Sequence, residues 1–235
     1  MTFLIHDITT IVVNYRTLDL TRLSVESFLK FYPGGRMLLI DNGSYDDSTL
    51  YLQEITERLP NVQSICNAAN IHHGPALHQG ILACKSRFVF TMDSDCLVHR
   101  GGFLEAMLAL LEEFDLYAIG RMERKQRFGF DVPPDAKSFI PYIHPSAMLL
   151  DKQKYFLLPP FFQHGSPCIR NMQAVQQADF TIRHFDVGAY IDHSGRGTCA
   201  RYGYDLGLLN FFQSYMTYHL PHWLYRMKNR FRRTF

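Results

Sequence analysis

Two carboxylates one residue apart, Asp93 and Asp95, follow the apolar run Phe88–Met92 (FVFTM). Carboxylate oxygens are hard ligands. A pair delivered together at the end of a buried strand can hold Mg2+ or Mn2+, which in turn binds a diphosphate. The same pattern also serves as a solvated turn in which an aspartate caps a helix, so its place after an apolar strand is what gives it weight. Three more polar clusters stand in the same relation to short apolar runs. Asn14-Tyr15-Arg16 ends Thr9–Asn14 (TTIVVN), Asp41-Asn42-Gly43-Ser44 follows Met37–Ile40, and Asn67 to Asn70 follow Val62–Cys66. Near residue 190, Tyr190-Ile191-Asp192-His193 ends another strand. The glycine-rich loop Ser194-Gly195-Arg196-Gly197-Thr198 comes next, and its amides and Arg196 can meet phosphate oxygens. Imidazole suits Mn2+ better than Mg2+; the plainer reading of His193 is a structural histidine at a strand end.

These clusters need a scaffold that gathers strand ends. Leu18 to Phe31 is roughly helical, with apolar residues at 20, 23, 28 and 31, and Pro33-Gly34-Gly35 stops it. Asp46 or Asp47 can cap a helix running to Leu59. Gly74–Lys85 and Gly101–Phe114 read as two more helices. Strands alternating with helices over the first 120 residues predict parallel βαβ units, hence an α/β fold with a mostly parallel central sheet flanked by helices. Ligands of such sheets bind beyond the carboxyl ends of the strands, which is where the four clusters fall. The second half is less regular. Arg121 to Phe139 reads as a long mobile loop, Ala147–Leu150 as a strand, and Ser166-Pro167 as the start of a helix to about Gln177. Phe180–His184 and Val187–Asp192 are predicted strands, and Asp205 to His219 and His222 to Arg232 predicted helices.

Composition sets the limits. A chain of 235 residues with 47% hydrophobic, 14% aromatic and 20% charged residues can bury a sizeable core, which excludes disorder, collagen and coiled coil. No apolar run approaches the roughly 20 residues that span a bilayer, and no signal-peptide pattern opens the sequence. Five cysteines (Cys66, Cys84, Cys96, Cys168, Cys199) with no CxxC pair read as reduced thiols of a cytosolic protein. Net charge is +2, but Arg226, Lys228, Arg230, Arg232 and Arg233 fall in the last ten residues, leaving the rest of the chain at −3. With so little net charge and the cations in one short tail, nucleic acid is not an expected partner.

In order along the chain, TTIVVNYRTLDLTRLSVESF, LLIDNGSYDDST, NIHHGPALHQGI and FVFTMDSDC resemble the family 2 glycosyltransferases of the GT-A fold. The resemblance is good over residues 9–115 and looser over 145–200. It implies transfer of a sugar from a nucleotide diphosphate donor to a glycan, lipid-linked or peptide acceptor, usually with inversion and with Mn2+ or Mg2+. It also implies one GT-A-like domain over residues 1–235, with a nucleotide-sugar half to about 120, an acceptor and metal-completing half over 121–205, and an aromatic, basic helical segment over 206–235. Asn14, Tyr15 and Arg16 match the family's nucleotide-base loop. Asp41 matches the aspartate that reads uracil, a carboxylate being able to accept the imide N–H, and Asn42, Gly43 and Ser44 complete its turn. The donor is accordingly expected to be a UDP-sugar. A helix cap or Asx turn is the structural alternative for Asp41. Asn70 and Gly74 fall in the segment near the ribose and diphosphate. His72-His73 between them depart from the pattern, as exposed loop residues or donor contacts. Asp93 is placed toward ribose and metal, with Ser94 beside it, Asp95 as a metal ligand in the catalytic set, and His193 completing the metal site.

The acceptor half departs from the family. An inverting transferase needs a base for the acceptor hydroxyl, yet no Asp or Glu occurs between Lys152 and Ala178. His164, just before Ser166-Pro167, is the leading substitute; a base from elsewhere and a retaining mechanism without one stay open. A nucleotidyltransferase would want a glycine-rich loop after the first strand, which Asn14-Tyr15-Arg16-Thr17 lacks. A sugar-nucleotide-binding protein without turnover fits the missing acid. The basic tail interleaves Trp223, Leu224, Tyr225, Met227 and Phe231 with its cations, a composition suited to an anionic membrane surface. A cytoplasmic enzyme held at the inner face of the membrane through residues 222–235 is one expectation, and a helix packed on the core with a solvated charged end is the other.

Overall fold

The computed structural model describes residues 5–163 and 165–194. After a short 3-10 turn, Ile5–Asp7, the first half alternates strand and helix. The elements are β1 (Ile8–Asn14), α1 (Leu18–Phe31), β2 (Arg36–Asp41), α2 (Ser48–Arg58), β3 (Val62–Cys66), α3 (His73–Ala83), β4 (Phe88–Asp93), β5 (Cys96–Val98) and α4 (Phe103–Glu113). The second half contributes β6 (Ala118–Lys125), β7 (Ile140–Asp151), the short α5 (Lys152–Tyr155), α6 (Ile169–Gln177), β8 (Ile182–His184) and β9 (Ile191–His193).

Seven strands form one sheet in the order β3-β2-β1-β4-β7-β6-β8. Its first four strands are parallel, β7 is antiparallel to both its neighbours, and β8 runs parallel to β6. Side chains alternate across each strand, and both faces are apolar here because helices cover both. Val12, Leu39, Phe90 and Leu149 share one core with Phe28 of α1, Ile55 of α2 and Met107 of α4. Their neighbours Ile11, Leu38, Val89 and Met148 share the other with Leu77 of α3, Tyr155 of α5 and Val175 of α6. The parallel register decides which residues meet at the sheet's end. Asn14 pairs with Asp41, Asp41 with Cys66, and Val13 with Asp93.

Two stretches differ from expectation. The expected loop from Arg121 to Phe139 begins later than expected: residues 121–125 belong to β6, and residues 126–139 connect β6 to β7. Arg121, Glu123 and Lys125 lie at spacing two, on one face, and neutralise one another. Arg121 Nη2 is 2.9 Å from Glu123, and Lys125 Nζ is 2.8 Å from Glu123 and 2.6 Å from Asp131. Charge that pairs along a strand hides its period from a reading based on hydropathy. The predicted strand Ala147–Leu150 is the last third of β7. The predicted strand Val187–Asp192 splits into a 3-10 turn, Val187–Ala189, and β9. Ser166 does not cap α6; its hydroxyl donates to the Gly129 carbonyl at 2.7 Å, and the helix begins at Ile169. The expected helices beyond residue 205 lie outside the described residues. No described helix is long and apolar enough to cross a membrane.

Candidate active site

At the carboxyl end of β1 and β2 a buried polar network forms. Asp41, 2% exposed, accepts on Oδ1 from the Asn14 amide at 2.7 Å and from the Ser44 hydroxyl, and on Oδ2 from the Ser44 backbone N–H at 3.1 Å. Asn14 in turn accepts from Thr21 at 2.7 Å and Thr17 at 3.2 Å. Asp41 thus folds onto its own turn, and any base that it reads shares a carboxylate already bound by Asn14 and Ser44. Gly43, at φ 78°, packs against the backbone of Ala69 and Asn70, where an added Cβ would lie 2.6–2.8 Å away. Asn42 uses its whole amide on the neighbouring loop. It donates to Asn70 Oδ1 at 3.0 Å and the His72 carbonyl at 3.4 Å, and accepts from Asn67 at 3.1 Å and the Ile71 N–H at 3.2 Å. Tyr15 and Arg16 stand at the rim, half-buried, with the guanidinium 5.4 Å from the Tyr15 ring centroid. The Arg16 N–H donates to Ser44 Oγ at 2.9 Å.

The second cluster gathers at the end of β4. Thr17 and Ser94 hydroxyls meet at 3.1 Å, and Ser24 donates to the Asp93 carbonyl at 3.3 Å, so α1 holds the turn after β4. The turn leads into β5, whose Cys96 is paired across the antiparallel ladder with His193 of β9. That pairing puts His193 Nε2 at 3.2 Å from Asp95 Oδ1 and 3.4 Å from Asp93 Oδ2. His73, the first residue of α3, approaches Asp93 Oδ1 from the other side at 3.5 Å. Burial alone would raise the Asp93 carboxyl, but the bond to His193 and the charges of His73 and His144 hold it well below the ordinary carboxylate range. Burial opposes the charge on His193 too, yet Asp93 and Asp95 raise its pKa to about 9.

The donor atoms of Asp95, Cys96 and His193 lie within 4.8 Å of one another. The thiol is a poor member of that set. It donates to the Ser146 carbonyl at 3.3 Å, and burial pushes its pKa well above 9.0, so it keeps its proton. Asp95 and His193 remain, and Asp93, 3.4 Å from His193, adds a second carboxylate, an oxygen and nitrogen set that fits Mn2+ or Mg2+ and lacks the soft thiolate that would favour zinc.

His144 of β7 went unnoticed in the sequence. Its ring centroid is 5.6 Å from that of His193, and its Nδ1 accepts the Ser146 N–H at 3.1 Å. Burial pushes this imidazole down to about 4, against the pull of Asp93 and Glu123. The signal was there, since Tyr142, His144 and Ser146 alternate along one strand face, but the predicted strand began after them. Gly74 is buried against the second half of the chain. Its N–H donates to the Gln163 carbonyl at 3.0 Å, and an added Cβ would lie 2.6 Å from the Phe162 nitrogen. Asn70 Oδ1 accepts the His72 N–H at 2.8 Å and braces that loop. His164, Arg196 and the tail from residue 222 lie outside the described residues.

The family model for glycosyl transferase family 2 matches residues 9–175. Among solved structures, the fold is similar to a mannosyltransferase, PcManGT, from Pyrobaculum calidifontis in complex with GDP-Man and Mn2+. The TM-score is 0.60 at 14% identity, over 77% of this chain and 55% of that one. It is also similar to S. aureus TarS 1-349, with a TM-score of 0.58 at 17% identity over 78% and 59% of the two chains. The same TarS fragment in complex with UDP-GlcNAc gives 0.57 at 16% identity, over 78% and 57%. The chain therefore spans little more than half the length of these proteins. No protein of curated function matches the sequence. With the family model covering most of the chain and the sheet matching that of GT-A enzymes, the chain belongs to glycosyl transferase family 2.

Proposed function

We propose that the chain transfers a sugar from a UDP-sugar to an acceptor hydroxyl, with inversion, using a divalent metal held by Asp93, Asp95 and His193. The supporting observation is that His193, about a hundred residues further along the chain, comes within 3.2–3.4 Å of Asp93 and Asp95 at the carboxyl end of β4. A bound Mn2+ or Mg2+ would neutralise charge developing on the departing diphosphate. His193 is held protonated by its two carboxylates, so it must give up a proton to serve as a ligand. Tyr15 and Arg16 flank the base, and Asp41 reads it. Nucleotide sugars bound to other proteins of this fold include both GDP-Man and UDP-GlcNAc; the choice of uracil here rests on Asp41. Asn70 and Ser94 line the ribose side, and Arg196 meets the diphosphate. His164 is the proposed base. Residues 222–235 would bring the enzyme to a lipid-linked acceptor at an anionic membrane.

Thermal melting tests the donor and the metal together, because a ligand that binds only the folded state raises Tm. UDP with Mn2+ should raise Tm more than GDP or ADP does, and equal shifts would remove the uracil assignment. Asp95→Ala should abolish the Mn2+-dependent shift while the unliganded Tm stays near wild type; His193→Ala should weaken it. A second reading, a nucleotide-sugar-binding protein without turnover, is favoured by the absence of Asp and Glu between Lys152 and Ala178. Release of UDP from candidate donors would decide against it.

A further inference from the structure

We infer that His73 is a positioning residue that keeps Asp93 aimed when the metal site is filled. The inference rests on the proposed metal role of Asp93, Asp95 and His193. Each Asp93 oxygen faces one imidazole, Oδ1 that of His73 at 3.5 Å and Oδ2 that of His193 at 3.4 Å. The two contacts are not equivalent. As a metal ligand, His193 would present the Nε2 lone pair, and that nitrogen would then offer no proton to Asp93. His73 faces the other oxygen, Oδ1, and would keep that place.

The position of His73 is built by several independent restraints. Asn42, 2% exposed, grips the preceding loop through Asn67, Asn70, Ile71 and His72. The backbone then turns through a left-handed His72 at φ 72°, a conformation uncommon outside glycine. Asn70 accepts the His72 N–H at 2.8 Å. One residue past His73, the Gly74 N–H is pinned to the Gln163 carbonyl at 3.0 Å. The His73 side chain is 24% exposed, close to the 20% of Asp93, so the pair is partly shielded from solvent. A group that orients a ligating carboxylate from outside the coordination sphere acts on affinity through geometry.

The test is the Mn2+ affinity of the full chain with UDP present, measured from the EPR signal of free Mn2+ in wild type, His73→Ala, His73→Gln and Asp95→Ala. His73→Ala should weaken Mn2+ by about 10–100-fold, the usual cost of losing an outer-shell partner, with the metal-free Tm unchanged. His73→Gln keeps an N–H that can face Asp93 and should recover most of the affinity. Wild-type affinity in His73→Ala, with binding lost in Asp95→Ala, would overturn the inference and leave the metal site standing. Equal weakness of the Ala and Gln variants would overturn the positioning role in favour of direct ligation. No Mn2+ binding by wild type would remove both.

Discussion

The charges around Asp93 have opposite preferences, and pH exposes them. His193 has its pKa raised to about 9 from the ordinary 6.5. The folded state therefore binds a proton between those values that the unfolded chain releases. The stabilisation is complete below pH 6.5 and is lost as pH rises through 9. His144 is the reverse case, pushed down to about 4 by burial. Between pH 4 and 6.5 the unfolded chain binds the extra proton, so its effect is to destabilise as pH falls through that window. In EDTA, the Tm advantage of wild type over His193→Gln should be present at pH 6 and shrink toward pH 9. An advantage that grows with pH would contradict the ion-pair assignment. Metal binding should strengthen over the same rise, since the proton competes for His193. For His164, loss of a general base predicts that His164→Ala lowers turnover by roughly 10²–10⁴ with UDP binding intact. Near-normal UDP release would reject this base, and proton NMR of the product would show whether the anomeric configuration is inverted or retained.

At the scale of elements, the first and second halves of the chain meet where α3 begins. Gly74 lets the backbone of residues 162–163 approach the helix more closely than any side chain would allow. Gly74→Ala should cost about 1–3 kcal/mol, the usual penalty of overpacking, because backbone atoms on the opposite side cannot rotate away. Gly34→Ala is the control, since nothing lies within 4 Å of an added Cβ there. Urea unfolding of both variants checks this, and equal stabilities would mean that the 161–163 segment yields. The pairing of β5 with β9 matters in the same way. Three residues on each side suffice to bring His193 under the two aspartates, and a register slip of one residue would turn it to the opposite face.

At the scale of the whole molecule, charge is separated along the chain, with a body at −3 and five cations near the end. If the tail docks on membrane, deleting residues 222–235 should reduce flotation with anionic liposomes. Raising salt should do the same, because surface attraction is screened over about 8–10 Å. Flotation indifferent to the deletion would favour a tail packed on protein.

The first half of the fold was legible because each parallel strand is a short β-branched or apolar run ended by polar residues, and each helix has its own apolar stripe. Asp41, Asp93 and Asp95 could be picked out for the same reason, since a carboxylate directly after a buried strand stands at the ligand end of the sheet. Tertiary structure decided the rest. β6 was hidden because Arg121, Glu123 and Lys125 pair with one another, and hydropathy does not register cancelled charge. β5 was too short to show a period. His73 and His144 reach Asp93 and His193 only through the turn at His72 and the antiparallel return of β7. Local sequence determines which residues end a strand. Which strand ends share a site depends on contacts between residues far apart in the chain, and those contacts form only when the sheet assembles.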